Sequence, residues 1–106
     1  MKTINLYNGK NFPSNLMGLL DVYCDHVFLK GSTNLTSAHK WEDQKNILVE
    51  LEAVAKLHIQ VQEFLKGETK EVLLPISFIC PIISFMGWAK MYDPEVALYL
   101  ISLIHG

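Results

Sequence analysis

Residues 47–65 read ILVELEAVAKLHIQVQEFL. Ile47, Leu51, Val54, His58, Val61 and Leu65 recur at spacings of four and three in alternation, the heptad pattern of a helix seam. Leu48, Ala55 and Ile59 widen the seam on one flank; Ala53, Leu57 and Phe64 widen it on the other. Only Glu52, Lys56, Gln60 and Glu63 make a clean polar face. This predicts a long helix from about residue 38 to Lys66, with Glu42 and Asp43 at its positive start and Gly67 as its stop. An apolar arc of this width exceeds what one neighbouring helix covers. The helix is therefore expected to be central in its domain or to pack on a second copy, with the six seam residues as the oligomer interface.

Three polar residues interrupt that arc: Glu50, His58 and Gln62. His58 and Gln62 are one helical turn apart and can touch. Two readings stand. They reach water at the rim, or they meet partners across a helix contact, since buried polar groups without partners are costly. In the second reading His58 sets register and makes the contact pH-sensitive, and Glu50 of another subunit answers it.

Upstream, residues 14–30 predict another helix. Ser14 is placed to cap it, and Leu16, Leu19, Leu20, Tyr23, Cys24 and Val27 share one arc. Asp21, Asp25 and His26 fall on the other side, the two acids as an ordinary surface strip. Gly31 is expected to end this helix in a left-handed conformation, with Ser32 to Ser37 as a polar loop. Before it, Thr3 to Tyr7 resembles a short strand, and Asn8-Gly9 is a strong hairpin signal with Lys10-Asn11-Phe12 as the returning arm, cut short by Pro13. Such a strand needs a partner: its own arm, a neighbouring subunit or a target's sheet edge.

Downstream, the composition changes. Seventeen charged residues lie in residues 1–71, and only Lys90, Asp93 and Glu95 lie beyond. Val72 to Ala89 carries none in eighteen residues, but Pro75 and Pro81 break it. A helix through Met91 is expected after that break. Asp93-Pro94-Glu95 is a strong helix start. The following residues 95–104 are apolar all round, which predicts burial on every side or residence in lipid.

The expected architecture is therefore one all-α domain over residues 1–106: a four- to five-helix bundle with a short N-terminal strand or hairpin. At 106 residues, folding removes about 65% of the unfolded chain's surface from water, enough for one core without disulfides.

Composition also narrows the chemistry. All nine basic residues are lysine, and the formal net charge is −2. Without arginine's planar fork or a basic patch, nucleic-acid binding is not expected. Six scattered glycines make no phosphate cradle, and no G-x-S-x-G or H-E-x-x-H motif occurs. Cys24 and Cys80 lie far apart with no C-x-x-C pair, so both are expected to be reduced core residues rather than nucleophiles. Cys24, Asp25, His26, His39, His58, Cys80 and His105 supply metal-ligand types, but positions 24 and 26 of a helix point to opposite faces. No metal, cofactor or catalytic residue is expected. Asn34-Leu35-Thr36 matches a glycosylation triplet, yet no export signal is visible and a cytoplasmic setting is expected.

By elimination, the expected function is a non-enzymatic protein-binding module, a small inhibitor or regulator that occupies a partner's surface and itself forms a homo-oligomer. Its exposed handles would be Tyr7 and Phe12 on the hairpin, and His39 and Trp41 at the start of the long helix. Two alternatives remain at this level. One is a small membrane protein with residues 72–104 in the bilayer. The other is an apolar small-molecule pocket built from Phe78, Phe85, Met86, Trp88 and Tyr99.

Overall fold

The computed structural model describes residues 3–7 and 12–105. Their order is strand β1 (Thr3–Asn5), helix α1 (Leu16–Ser37), helix α2 (Trp41–Leu65), strand β2 (Leu73–Pro75), a 3-10 turn at Ile76–Phe78, helix α3 (Ile79–Trp88) and helix α4 (Pro94–His105). The all-α expectation with a short N-terminal strand is met. The turn expected at Asn8-Gly9 lies outside the described residues.

Helix α1 corrects two expectations. It begins at Leu16 with Asn15 as its cap position, and Ser14 makes no capping bond. It then runs through Gly31 and the supposed loop to Ser37. The reason lies in the hydroxyls: Thr33 Oγ1 donates to Leu29 O, Thr36 Oγ1 to Ser32 O and Ser37 Oγ to Thr33 O, at 3.0–3.3 Å. Each side chain is satisfied by the carbonyl one turn back, so this polar run stays helical. Gly31 serves packing instead: a Cβ there would lie 2.5 Å from Leu51 Cδ2.

Helix α2 ends as expected. Gly67, at φ +79°, donates to Phe64 O while Glu68 N donates to Glu63 O, the two bonds of a Schellman motif. Helix α3 ends with the same pair of bonds, Lys90 N to Gly87 O and Met91 N to Met86 O. There the left-handed position is held by Lys90, at φ 57°. Asp93 caps α4: its Oδ1 accepts from Glu95 N at 3.0 Å and its carbonyl accepts from Ala97 N. Asn15 Nδ2 donates to the other carboxylate oxygen, which ties the starts of α1 and α4 together.

The strand finds a partner the sequence did not suggest. β1 pairs antiparallel with β2, with Thr3 opposite Pro75 and Asn5 opposite Leu73. Gln60 of α2 acts as a third rung: its Oε1 accepts from Leu73 N and its Nε2 donates to Leu73 O. The alternation of the pair puts Leu74 in the core, and just past the strands Leu6 N donates to Val72 O with both side chains fully buried.

The core is assembled from Leu16, Leu20 and Cys24 of α1, Val54, Leu57 and Val61 of α2, Ile82 and Met86 of α3, and Val96 and Leu100 of α4. Helix α4 is therefore apolar all round without being buried all round: Leu98, Ile101 and Ile104 face outward, Leu98 with 68% of its surface exposed. Among the described residues, no helix is long and apolar enough to cross a membrane. The uncharged run that prompted that alternative is divided among β2, the 3-10 turn and the ten residues of α3.

The first thirteen residues of α2, 41–53, and α1 after Val27 contain no buried residue. These segments form a two-helix arm beyond the core, with half-buried Phe28, Gly31, Leu35, Ile47 and Leu51 on it. At 22 and 25 residues, helices α1 and α2 are ~33 and ~37 Å long at 1.5 Å per residue, consistent with a longest dimension of 46 Å.

Candidate functional site

Where the arm meets α3, a groove opens with a volume of about 560 Å³. Tyr23, His26, Val27, Lys30 and Asn34 lie at helical spacing along its α1 wall. Ile47, Glu50 and Leu51 come from α2, and Pro81, Ser84, Phe85 and Trp88 from α3. Its wall is an aromatic run. The His26 ring lies 5.0 Å from Phe85 and 4.8 Å from Trp88, and Tyr23 meets Phe85 edge-on at 5.5 Å. Trp88 nonetheless keeps 71% of its surface exposed, so its indole presents a large apolar face to solvent.

Polar groups come from all three helices: Tyr23, His26, Lys30 and Asn34 of α1, Glu50 of α2 and Ser84 of α3. Lys30 and Glu50 bring opposite charges to the lining. Burial, with Glu50 and Cys24 adding to it, pushes the Tyr23 phenol up to about 12, so the phenol stays protonated. Volume, aromatic walls and a small set of polar groups match what a binding cleft needs.

The sequence-predicted residues are distributed otherwise. Tyr7 and Phe12 are not free handles. They pack with Phe64 and Tyr99 in an aromatic cluster whose ring centroids lie 5.2–5.8 Å apart. Tyr99 also donates its hydroxyl to Leu6 O, which pins the chain beside that cluster. His39 is exposed in the α1–α2 link, and Trp41 is 68% exposed at the start of α2. The proposed small-molecule set does not converge: Phe85 and Trp88 line the groove, Met86 is in the core, and Tyr99 belongs to the other cluster. Cys24 is buried, and burial with Asp21 and Asp25 nearby pushes its thiol up to about 12. Cys80 is exposed, which corrects its expected place in the core.

The seam on α2 is largely consumed within the chain. Val54 and Val61 are fully buried in its own core, Ile47 and Leu51 sit on the arm, and Leu65 is exposed. His58 meets α1: its Nε2 lies 3.0 Å from Asp21 Oδ1 and 3.9 Å from Asp25 Oδ1. Gln62 Nε2 donates to the same Asp21 oxygen at 2.6 Å. The carboxylate expected from another subunit's Glu50 is thus supplied by this chain's own α1. The histidine is half-buried, so the polar pair sits across a helix contact and at its wet edge together.

Sequence reasoning missed Tyr23, His26, Lys30 and Glu50 as site residues. The signal was present in the Tyr23, His26, Val27, Lys30 spacing, which marks one continuous helix stripe. Comparison with protein-family models, curated proteins and solved structures finds no match to this chain.

Proposed function

We propose that this chain is a non-enzymatic protein-binding module, a small inhibitor or regulator whose partner docks in the groove between α1, α2 and α3. The observation that carries this reading is Trp88: a tryptophan exposed over most of its surface, tilted against His26 at the lip of an open aromatic groove. Tryptophan anchors of this kind dominate interface energetics. The groove fits an apolar helical or extended segment, with Lys30 and Glu50 selecting a partner that carries both charge signs around one large apolar side chain.

A second reading, self-association, is favoured by a different surface. Leu98, Ile101 and Ile104 on α4, with Met91 and Tyr92 just before it, leave an outward apolar face that a second copy would cover. A reducing cytoplasm suits both readings, since Cys24 and Cys80 are free thiols.

Affinity capture from cells of the source organism tests the main reading. Wild-type chain should retain one partner at saturable stoichiometry. Trp88→Ala, folded by circular dichroism, should lose it, whereas Leu98→Ala should keep it. Retention of the same partner by the Trp88 variant overturns the groove assignment. Loss on Leu98→Ala alone moves the interface to α4.

A further inference from the structure

We infer that Asp21, Asp25, His58 and Gln62 form a binding site for a divalent transition-metal ion, with zinc as the probe. Two pairs at i, i+4 face each other across α1 and α2: Asp21 with Asp25, and His58 with Gln62. In each pair the side chains share a helix face, so four donors converge from two helices. One ligand atom from each of Asp21, Asp25 and His58 lies within 4.8 Å of the others. A tetrahedral ion with bonds of ~2.0–2.1 Å needs its ligands ~3.3 Å apart. The 3.0 and 3.9 Å approaches of His58 Nε2 to the two carboxylates bracket that value, so rotamer adjustments suffice.

Gln62 supplies the fourth position. Its amide head lies 2.6 Å from Asp21 Oδ1 and 3.4 Å from His58 Nε2. A half-turn about its last bond puts the carbonyl oxygen in place of the nitrogen. The donors are then two carboxylate oxygens, one imidazole nitrogen and one amide oxygen, a set suited to zinc and its first-row neighbours. The charge balance points the same way. Among the described residues, His58 is the sole basic side chain within 4.0 Å of either carboxylate, and the lysine ion pair found lies elsewhere, between Lys56 and Glu52. Two acids one turn apart repel; a dication would neutralise both, with the His58 imidazole nitrogen as a neutral ligand. Bound there, it would staple α1 to α2 at the root of the arm, independently of whether the groove binds a partner.

Isothermal titration of the full chain with zinc chloride in a non-chelating buffer tests the site. One saturable equivalent should bind, and the melting temperature should rise with zinc concentration as mass action requires. His58→Ala should weaken binding at least tenfold. Asp25→Asn should do the same, and this side chain is 70% exposed, so the fold survives its change. Cys80→Ala should bind zinc unchanged, and cobalt-loaded protein should show no thiolate charge-transfer band. Absence of saturable binding overturns the inference. So does wild-type affinity in both His58→Ala and Asp25→Asn, which would place zinc on other side chains.

Discussion

Substitution of Gly31 by alanine separates two energies that the structure sets against each other. Gly31 lies inside α1, where alanine is favoured over glycine by ~0.8–1.0 kcal/mol. The added methyl, however, falls 2.5 Å from Leu51 Cδ2 and 3.2 Å from its Cγ. Leu51 is half-buried and lines the groove, so it relieves the clash by swinging outward. Holding it off its preferred rotamer costs ~0.5–1.5 kcal/mol. The two terms nearly cancel, and Gly31→Ala alone should change stability by less than ~0.5 kcal/mol. In a Leu51→Ala background the clash is gone, and the same substitution should stabilise by ~1 kcal/mol. With a urea m-value of ~1–2 kcal/mol/M, that is a midpoint increase of ~0.5–1 M. Urea denaturation of the four proteins, followed by circular dichroism, reads the cycle. Equal effects of Gly31→Ala in both backgrounds would refute the Gly31–Leu51 contact. A loss of ~1 kcal/mol in both would mean that Gly31 is left-handed and ends the helix.

The two Schellman turns should respond oppositely: Gly67→Ala destabilises and Lys90→Gly stabilises, each by ~0.5–1 kcal/mol, because only glycine takes the left-handed position freely. Thermal denaturation should show this as opposite shifts of a few degrees. Asp93→Ala should cost ~1 kcal/mol through loss of the α4 cap, and an unchanged denaturant midpoint would mean the cap bond contributes nothing. Native protein should titrate one thiol with Ellman's reagent, Cys80, while Cys24 reacts only on unfolding. Because the folded state holds the Cys24 proton more tightly, up to about 12 against an ordinary 9.0, the stability from that burial is intact below pH 9. It falls as pH rises from 9 to about 12. Urea midpoints that stay flat across that window would contradict the burial.

Helix pattern carried most of the fold. The heptad on α2, the Gly67 stop and the Asp93-Pro94-Glu95 start were legible because each depends on residues close in sequence. Gly31 and Ser32 to Ser37 misled for a local reason: their propensities disfavour a helix, and the hydroxyl back-bonds and the seat for Leu51 reversed the balance. The β1–β2 pairing was illegible, since its register joins segments about seventy residues apart. The same holds for His58. Its position in the seam was evident, but its partners Asp21 and Asp25 sit on another helix, and nothing local announces which faces of α1 and α2 meet. Tyr7 and Phe12 looked like surface handles because a short N-terminal segment offers no clue that Phe64 and Tyr99 close over it.

The groove's role is tested most directly by placing the photoreactive residue p-benzoylphenylalanine at position 88 and irradiating cells of the source organism that express the chain. One discrete cross-linked partner is expected, identified by mass spectrometry. No such adduct is expected from the same residue at position 68, which is exposed just past the turn that ends α2. A common set of adducts from both positions, or none from position 88, would contradict a partner in the groove.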